Sequence, residues 1–253
     1  MFDLKSLYPM IYKRKSVRAF DDKNPLGAEE LDEIRQAAAE LKPLCPEIRT
    51  SISLLDHKET NCRRGAYCLL FYSEKCEHAL LNAGYMMEQM DLYLESKGIG
   101  VCWYGFGKAQ QPKLDGLTFV IMLNIGRLKP NSLRKSLEDA KRKPESEVWR
   151  GEAKPEILKL ARFAPSSCNM QPWRVSADAD GFTVYRSTDV HSPIMPPSFR
   201  PFFNTIDMGI FLCFLDILLE EQGVSYQCEL SPDMLDPKQK GEFEVCRYHC
   251  KEQ

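Results

Sequence analysis

The sequence predicts an α+β fold made of two similar halves, each with an antiparallel-type sheet, and with two long helices packed together at the centre. Three observations predict it. Short apolar strands and helical segments recur in both parts of the 253-residue chain. Two long helical segments, residues 82–97 and 205–221, each end at a glycine. The second segment is apolar nearly all round and must therefore be covered on every side.

In the first half, apolar residues at near-helical spacing begin the chain, and Pro9 is expected to interrupt that helix. A helix rich in Ala, Leu and Glu follows at residues 28–41 and is stopped by Pro43. The remaining predicted elements are strands at 65–72 and 117–125 and the long helix 82–97 between them.

The second half opens with a charged connector at residues 129–144, which contains a short helix. A hairpin is predicted around Asp180-Gly181, because this pair joins two short apolar runs. The other predicted elements are a helix at 156–163, a proline-rich loop at 193–201, the long helix 205–221, and strands at 224–229 and 243–248.

An offset of 125 residues superimposes the second long helix on the first. It pairs Gly84 with Gly209 and Asp91 with Asp216, and gives five identities in fifteen aligned positions. The alternative is that two buried helices ending in glycine resemble each other by composition alone. If the repeat is real, residues 1–140 and 141–253 form the two halves.

Composition excludes several classes of function. A formal net charge of −2 gives no global field toward nucleic acid or an anionic membrane, so neither is an expected partner. The first ten residues lack an apolar stretch of signal-peptide length, and the apolar run 208–215 is shorter than a membrane span. A cytoplasmic protein with ten free thiols is therefore expected. Cys246, His249 and Cys250 fall short of four zinc ligands, so no metal is predicted.

A basic segment near the N-terminus is a candidate phosphate site. Arg14, Lys15, Ser16 and Arg18 place three cations and a hydroxyl within five residues. A phosphomonoester requires this kind of charge neutralisation, with bidentate donors from arginine. The alternative is a solvated basic run on the surface.

The most specific motif is residues 164–173, Ala-Pro-Ser-Ser-Cys-Asn-Met-Gln-Pro-Trp. Its two prolines end the preceding helix and restrict the loop. Its short polar side chains are available as hydrogen-bond partners; they are Ser166, Ser167, Asn169 and Gln171.

These two motifs resemble the FMN-binding signatures of the nitroreductase family, within which the chain is most similar to members with two fused, shortened halves. Residues 98–106 resemble that family's glycine-rich segment, whose backbone near Tyr104 and Gly105 approaches flavin N5. Arg134 and Lys135 resemble its late basic pair. The resemblance implies a cofactor site made of Arg14, Lys15, Ser16, Arg18, Tyr104, Gly105, Arg134, Pro165, Ser166, Ser167, Asn169 and Gln171.

The motifs are distributed unequally between the halves. The first half offers Lys-Pro-Leu-Cys-Pro at residues 42–46 where the serine-rich loop is expected, and the second lacks a glycine-rich segment after Gly223. In dimers of the family, this loop reaches the flavin bound by the other subunit. The chain is therefore expected to be a monomeric pseudo-dimer with one complete FMN site.

The resemblance implies an FMN-dependent oxidoreductase that passes hydride from NAD(P)H to a nitroaromatic, quinone or similar small acceptor. No catalytic side chain is assigned, because the cofactor carries the chemistry. Two alternatives remain open. One is another flavin chemistry on the same fold, such as dehalogenation or flavin breakdown, and the other is a non-catalytic or flavin-free scaffold.

Overall fold

Two five-stranded sheets pack on a central pair of long helices in the computed structural model, which describes residues 3–152 and 155–251. The fold is mixed α+β, with largely antiparallel sheets. The helices of the first half are α1 Tyr8–Lys13, α2 Ala28–Ala39 and α3 Ala79–Ser96. Its strands are β1 Thr50–Asp56, β2 Tyr67–Ser73, β3 Ile99–Tyr104, β4 Lys113–Leu114 and β5 Leu117–Arg127.

The second half carries the other long helix, α5, at Arg200–Gln222, and a short helix α4 at Glu145–Val148. Its strands are β6 Trp149–Arg150, β7 Trp173–Asp178, β8 Gly181–Ser187, β9 Ser225–Leu230 and β10 Glu242–Lys251. Short 3₁₀ helices lie at Leu4–Leu7, His57–Glu59, Leu137–Asp139, Glu156–Phe163, Ser167–Asn169 and Pro197–Phe199.

The two sheets have the same connectivity. The first has the order β1-β2-β5-β3, with β4 paired to β5, and the second has β7-β8-β10-β9, with β6 added beside β7. In each sheet, two antiparallel strands precede the long helix. The last strand of the sheet lies between the second of these two strands and the strand that directly follows the long helix. β6 differs, because it pairs with β7 in parallel.

The helices α3 and α5 approach so closely that their backbones touch at two glycines. A Cβ atom on Gly84 would overlap the carbonyl oxygen of Ile206, and one on Gly209 would overlap that of Leu81. Leu81 and Ile206 are themselves 125 residues apart, so the contact is reciprocal about the crossing. One continuous apolar core includes both helices and side chains from both sheets.

The helix α5 is longer than the apolar run 208–215 suggested. With its preceding turn it spans Pro197–Gln222, long and apolar enough to cross a membrane by length and composition alone. The length argument from the sequence was therefore wrong. In the structure 94% of its most apolar window is buried within the protein, as in a core helix.

Three local predictions also need correction. Pro9 does not interrupt a helix, because it occupies the first turn of α1, where proline is tolerated. The strand β1 was missed because its residues are all half-buried and lack a clear alternation. Residues 99–104 form a strand rather than a glycine-rich loop. Gly100 lets Val17 pack against this strand, since a Cβ on Gly100 would lie 2.8 Å from the Val17 side chain. The hairpin at Asp180-Gly181 is confirmed.

Candidate functional site

The basic segment and the serine-rich loop meet at a cleft between the two halves of the chain. One end of the cleft is a cavity of about 190 Å³ with a largely apolar wall, which we call the apolar cavity. The other end is a wider depression of about 630 Å³ with many basic side chains, which we call the cationic groove. Both ends are lined by Ser16, Arg18, Pro165, Ser166 and Cys168, so they form one continuous site.

The basic segment leaves α1 and runs along the edge of the first sheet. The backbone N–H of Val17 donates to the carbonyl of Val101 on β3 at 2.8 Å. Val17 itself is buried, while Arg18 is exposed beside the cleft. This extended course places Ser16 and Arg18 at the junction of the cavity and the groove.

Arg14 is buried, 2% exposed, beneath the cationic groove. Its Nε and Nη2 donate to one carboxylate oxygen of Asp91 at 3.1 and 2.7 Å, and its Nε lies 3.7 Å from Glu88. Burial lowers the pKa of Arg14, but the neighbouring Asp91 and Glu88 outweigh it and raise the pKa overall. Arg14 is therefore a permanent charge anchored to α3, and the picture of a solvated basic run does not apply to it.

The acidic side chains of α3 also hold the neighbouring backbone and β3. Glu95 accepts from the backbone N–H of Lys15 at 3.0 Å, and burial raises the pKa of Glu95 to about 9. The indole N–H of Trp103 donates to Glu88 and Asp91 at 3.1 and 3.0 Å. Burial also raises the pKa of Glu88 well above its usual value. The floor of the cleft is thus a hydrogen-bonded network on α3.

The cationic groove brings together arginines that repel one another. Arg134 is buried and lines it, and its backbone N–H donates to the carbonyl of Lys13 at 2.8 Å. Burial, and then the charge of Arg14, lower the pKa of Arg134. For Arg142, burial followed by Arg14 and Arg134 lowers the pKa to about 9. An anion bound in the groove would relieve this repulsion.

Arg142 was not among the predicted site residues. It donates to the backbone carbonyls of Phe163 and Ala164 at 3.2 and 3.1 Å, and to the Asn169 side chain at 2.9 Å. It therefore holds the serine-rich loop against the groove. Its sequence signal was a run of three basic residues, 141–143, in a charged connector, which gives no information about the loop that Arg142 contacts.

Unusual backbone angles shape the serine-rich loop. Cys168, Asn169 and Gln171 all have positive φ, between 51° and 56°, a region that non-glycine residues rarely adopt. The backbone N–H of Gln171 donates to Ser166 Oγ at 2.9 Å, and its buried side chain accepts from Lys143 N–H at 2.7 Å. This concentration of strained residues is typical of a functional loop.

Asp207 of α5 fastens the same loop from inside the apolar cavity. Its carboxylate accepts from the backbone N–H of Ser167 at 2.8 Å, and the side chain is 1% exposed. Burial raises the pKa of Asp207 to about 8, although hydrogen bonds from Ser167 act in the opposite direction. Asp207 was also absent from the predicted site.

Aromatic side chains form the outer wall of the apolar cavity. Phe106, 52% exposed, contacts Phe199 and Phe203 edge-on, with ring centroids 5.8 and 5.2 Å apart. Gly105 lies against Phe203, and a Cβ there would come within 2.8 Å of that ring. Met195, from the proline-rich loop at residues 193–201, also lines the cavity.

Most of the predicted cofactor residues line this cleft. Those at the apolar cavity are Ser16, Arg18, Gly105, Pro165, Ser166 and Ser167. Those at the cationic groove are Arg14, Lys15, Ser16, Arg18, Arg134, Pro165, Ser166 and Asn169, together with Lys135. Tyr104 packs instead beside a separate small core and Gln171 supports the loop from behind, so a direct contact of either with a cofactor stays a prediction.

Beside Leu81 the structure is nearly closed. Leu81, Ser231 and Val245 line a space of about 20 Å³, whereas Ile206, 125 residues after Leu81, lines the apolar cavity. This space is smaller than the roughly 30 Å³ that one water molecule occupies in the liquid. Asn82, 125 residues before Asp207, holds the loop there by accepting from Leu44 and Cys45 N–H at 2.8 and 3.2 Å.

Comparisons with known proteins place the chain in a family. The family model described as "Putative TM nitroreductase" matches residues 6–218. A solved nitroreductase from Thermotoga maritima MSB8, itself described as putative, superposes with a TM-score of 0.61 at 18% identity, over 95% of this chain and 92% of that chain. No curated protein matches the chain.

Other solved structures match over a smaller part. A nitroreductase with bound FMN from Bacteroides fragilis NCTC 9343 gives a TM-score of 0.42 at 14% identity, over 60% of this chain and 100% of that chain. A protein from Desulfovibrio desulfuricans in complex with FMN, described as a putative nitroreductase, gives a TM-score of 0.42 at 16% identity, over 59% of this chain and 96% of that chain. Since the family model spans most of its length, the chain belongs to this nitroreductase family.

Proposed function

We propose that the protein binds one FMN in the cleft and is an oxidoreductase that passes hydride from NAD(P)H to a small acceptor such as a nitroaromatic or a quinone. The observation that carries this proposal is the joining of a cationic groove to an apolar cavity in one cleft. FMN has a matching shape and charge, with a phosphate at one end and a flat ring at the other.

The groove supplies what a phosphate requires. Arg134 and Arg142 have pKa values lowered by burial and by neighbouring cations, so a bound dianion would stabilise both. Lys15 adds a third charge in the groove, and Ser16 adds a hydroxyl at the junction. Arg14 is anchored to Asp91 and contributes a fixed positive charge from below.

The apolar cavity would receive the ring. Bound there, FMN supplies two-electron chemistry at its ring system, which no amino-acid side chain provides. Phe106 and Phe203 give that end of the cleft an aromatic wall, and Phe203 packs directly against Gly105. Arg18 lies at the junction, where a cation stabilises negative charge on a reduced ring.

We also infer that the chain is an internally duplicated pseudo-dimer that acts as a monomer in the cytoplasm, with one site per chain. The equal strand order of the two sheets and the reciprocal glycine contact support the duplication. The nearly closed space beside Leu81 and Ser231 supports a single site.

Reconstitution with FMN tests the proposal. Purified protein is loaded with excess FMN, desalted, and examined by visible spectroscopy and flavin quantification, with mass measured by light scattering. We expect one FMN per chain, a monomer, and oxidation of NADH or NADPH with an added acceptor. A stoichiometry near two contradicts the single site, and bound FMN without any NAD(P)H oxidation favours the non-catalytic alternative.

A further inference from the structure

We propose that Asp207 and the Ser167 hydroxyl form a proton-sensitive pair in the wall of the apolar cavity. The wall presents a hydrogen-bond donor to the bound ring when Asp207 is protonated, and an acceptor when Asp207 is ionised. Ser167 meets the ligand, so Asp207 is a positioning residue that acts through it. This inference rests on the proposed function, because FMN is taken as the ligand.

The geometry of the pair is fixed by the loop. One oxygen of Asp207 accepts from the backbone N–H of Ser167 at 2.8 Å, and the Ser167 hydroxyl lies close enough to the carboxyl group to lower its pKa against the effect of burial. Within residues 3–152 and 155–251, the other carboxylate oxygen has no hydrogen-bond partner. Both side chains line the apolar cavity.

The closed half shows that fastening the loop does not require a carboxyl group. Asn82 occupies the position equivalent to Asp207, and its amide oxygen holds the loop through Leu44 and Cys45 N–H. An acceptor oxygen is sufficient for that purpose. The serine-rich loop at the open cleft differs in two respects, since a titratable carboxyl holds it and it carries a hydroxyl at Ser167. Both differences occur beside the apolar cavity.

The surroundings keep Asp207 protonated near neutral pH. Burial raises the pKa of Asp207 to about 8, and only the hydrogen bonds from Ser167 oppose it. The titratable or charged side chains that line the same cavity are Arg18, Cys102 and Cys168. The elements packed against α5 also carry Glu88, Asp91 and Glu95 on α3, Glu156, Lys159 and Arg162 on the 3₁₀ helix Glu156–Phe163, and Lys5, which lies beside Glu221 at the other end of α5.

The protonation state decides where the single Ser167 hydroxyl proton points. An ionised Asp207 accepts that proton, so Ser167 turns only lone pairs toward the cavity. A protonated Asp207 donates to Ser167 Oγ, so the hydroxyl proton is free to point at the ligand. An oxidised isoalloxazine ring offers carbonyl oxygens and ring nitrogens as acceptors and only one N–H donor. FMN therefore binds more tightly to the protonated pair.

The test is FMN binding from pH 6.5 to 9.5, measured by quenching of flavin fluorescence, together with proton uptake by calorimetry in buffers of different ionisation enthalpy. For the wild type we expect affinity to fall about tenfold across this range, equivalent to a shift of one pKa unit on binding. We also expect proton uptake near pH 8.5. In D207N and in S167A, both effects should be reduced or lost.

The variants separate this role from loop support. D207N keeps the acceptor oxygen that Asn82 uses in the other half, so the loop contact is retained. S167A keeps the backbone N–H and removes only the hydroxyl. Glu95 and Arg142, with pKa values near 9, titrate in every variant and act as an internal baseline.

The outcomes for the two proposals differ. If D207N or S167A shows the wild-type pH profile and proton uptake, the proton-sensitive pair is wrong and the FMN site stands. If wild-type protein binds no FMN at pH 6.5, the proposed function fails and this inference fails with it.

Discussion

Two aspartates 125 residues apart on the central helices are stabilised in different ways. Asp91 on α3 binds the guanidinium of Arg14, whereas Asp216 on α5 accepts from the hydroxyls of Tyr85 and Tyr248, both at 2.7 Å. Burial raises the pKa of Asp216 to about 6, opposed by the tyrosine hydrogen bonds. A cation thus holds Asp91 beside the open cleft, where the pair fixes the basic segment, and neutral donors hold Asp216.

The loops also differ. Asp207 holds a serine loop whose backbone is strained, at the open cleft, and Asn82 holds the loop of residues 42–46, beside the nearly closed space. Where a ligand is expected, the protein retains charge, strain and space. Where none is expected, it retains only the hydrogen bonds that the fold requires.

The largest expected effect tests whether the halves meet symmetrically. Gly84→Ala and Gly209→Ala each place a methyl group onto a backbone carbonyl, which cannot move as a flexible side chain would. We expect each to cost at least about 3 kcal/mol of unfolding free energy, by urea denaturation, or to prevent folding. Gly98→Ala is the control, since no atom lies within 4 Å of its Cβ and its φ of 76° costs about 1–2 kcal/mol. Clearly unequal losses at Gly84 and Gly209 would show that the two helices do not contact each other symmetrically.

The second prediction separates the two aspartates. Arg14→Ala leaves Asp91 and Glu88 buried without their cation, and we expect a loss of about 3–5 kcal/mol. Tyr248→Phe removes one of the neutral donors to Asp216 and is expected to cost about 1–3 kcal/mol. Both are measured by urea denaturation at pH 7. Equal costs would mean that the buried charge of Arg14 contributes no more to stability than a neutral donor to Asp216 does.

Sequence reasoning predicted most of the fold because the relevant signals are local. Glycines after α3 and α5 and the Asp180-Gly181 turn each depend on neighbouring residues. In the same way, the motifs at Arg14 and Ser166 predicted the site from residue types at fixed spacing.

What sequence reasoning missed depends on contacts distant in the chain. Arg142 became a site residue through bonds to a loop more than twenty residues away, and Asp207 through a bond to Ser167 forty residues earlier. The burial of Arg14 could not be foreseen either, because its partner Asp91 lies 77 residues later. A basic run looks alike in sequence whether solvent or carboxylates surround it.

The third prediction concerns the groove. Arg134→Ala removes a cation that lines it, and we expect FMN affinity to fall by about 10- to 100-fold, which corresponds to the roughly 1.5–3 kcal/mol of a charged hydrogen bond. Fluorescence titration at fixed salt gives the value. Arg35→Ala on α2, exposed and paired with Asp32, is the matched control and should bind FMN as the wild type does. An unchanged affinity in Arg134→Ala would remove this residue from the phosphate site.

The last prediction compares positions 207 and 82 through the pH dependence of stability. Because the pKa of Asp207 is raised to about 8 in the folded state, the native protein holds a proton that the unfolded chain releases above the ordinary aspartate pKa of 3.8. Stability from this group is therefore complete below about pH 4 and falls as the pH rises toward 8, by at most about 1.4 kcal/mol per pH unit. Urea denaturation between pH 5 and 8 should give a flatter profile for Asp207→Asn than for the wild type. Asn82→Asp should give a steeper one, since it places a second buried acid at the matching position. If Asp207→Asn does not change the slope of unfolding free energy against pH, the Asp207 carboxyl is ionised in the folded protein. Asp207 and Asn82 would then not differ by a bound proton.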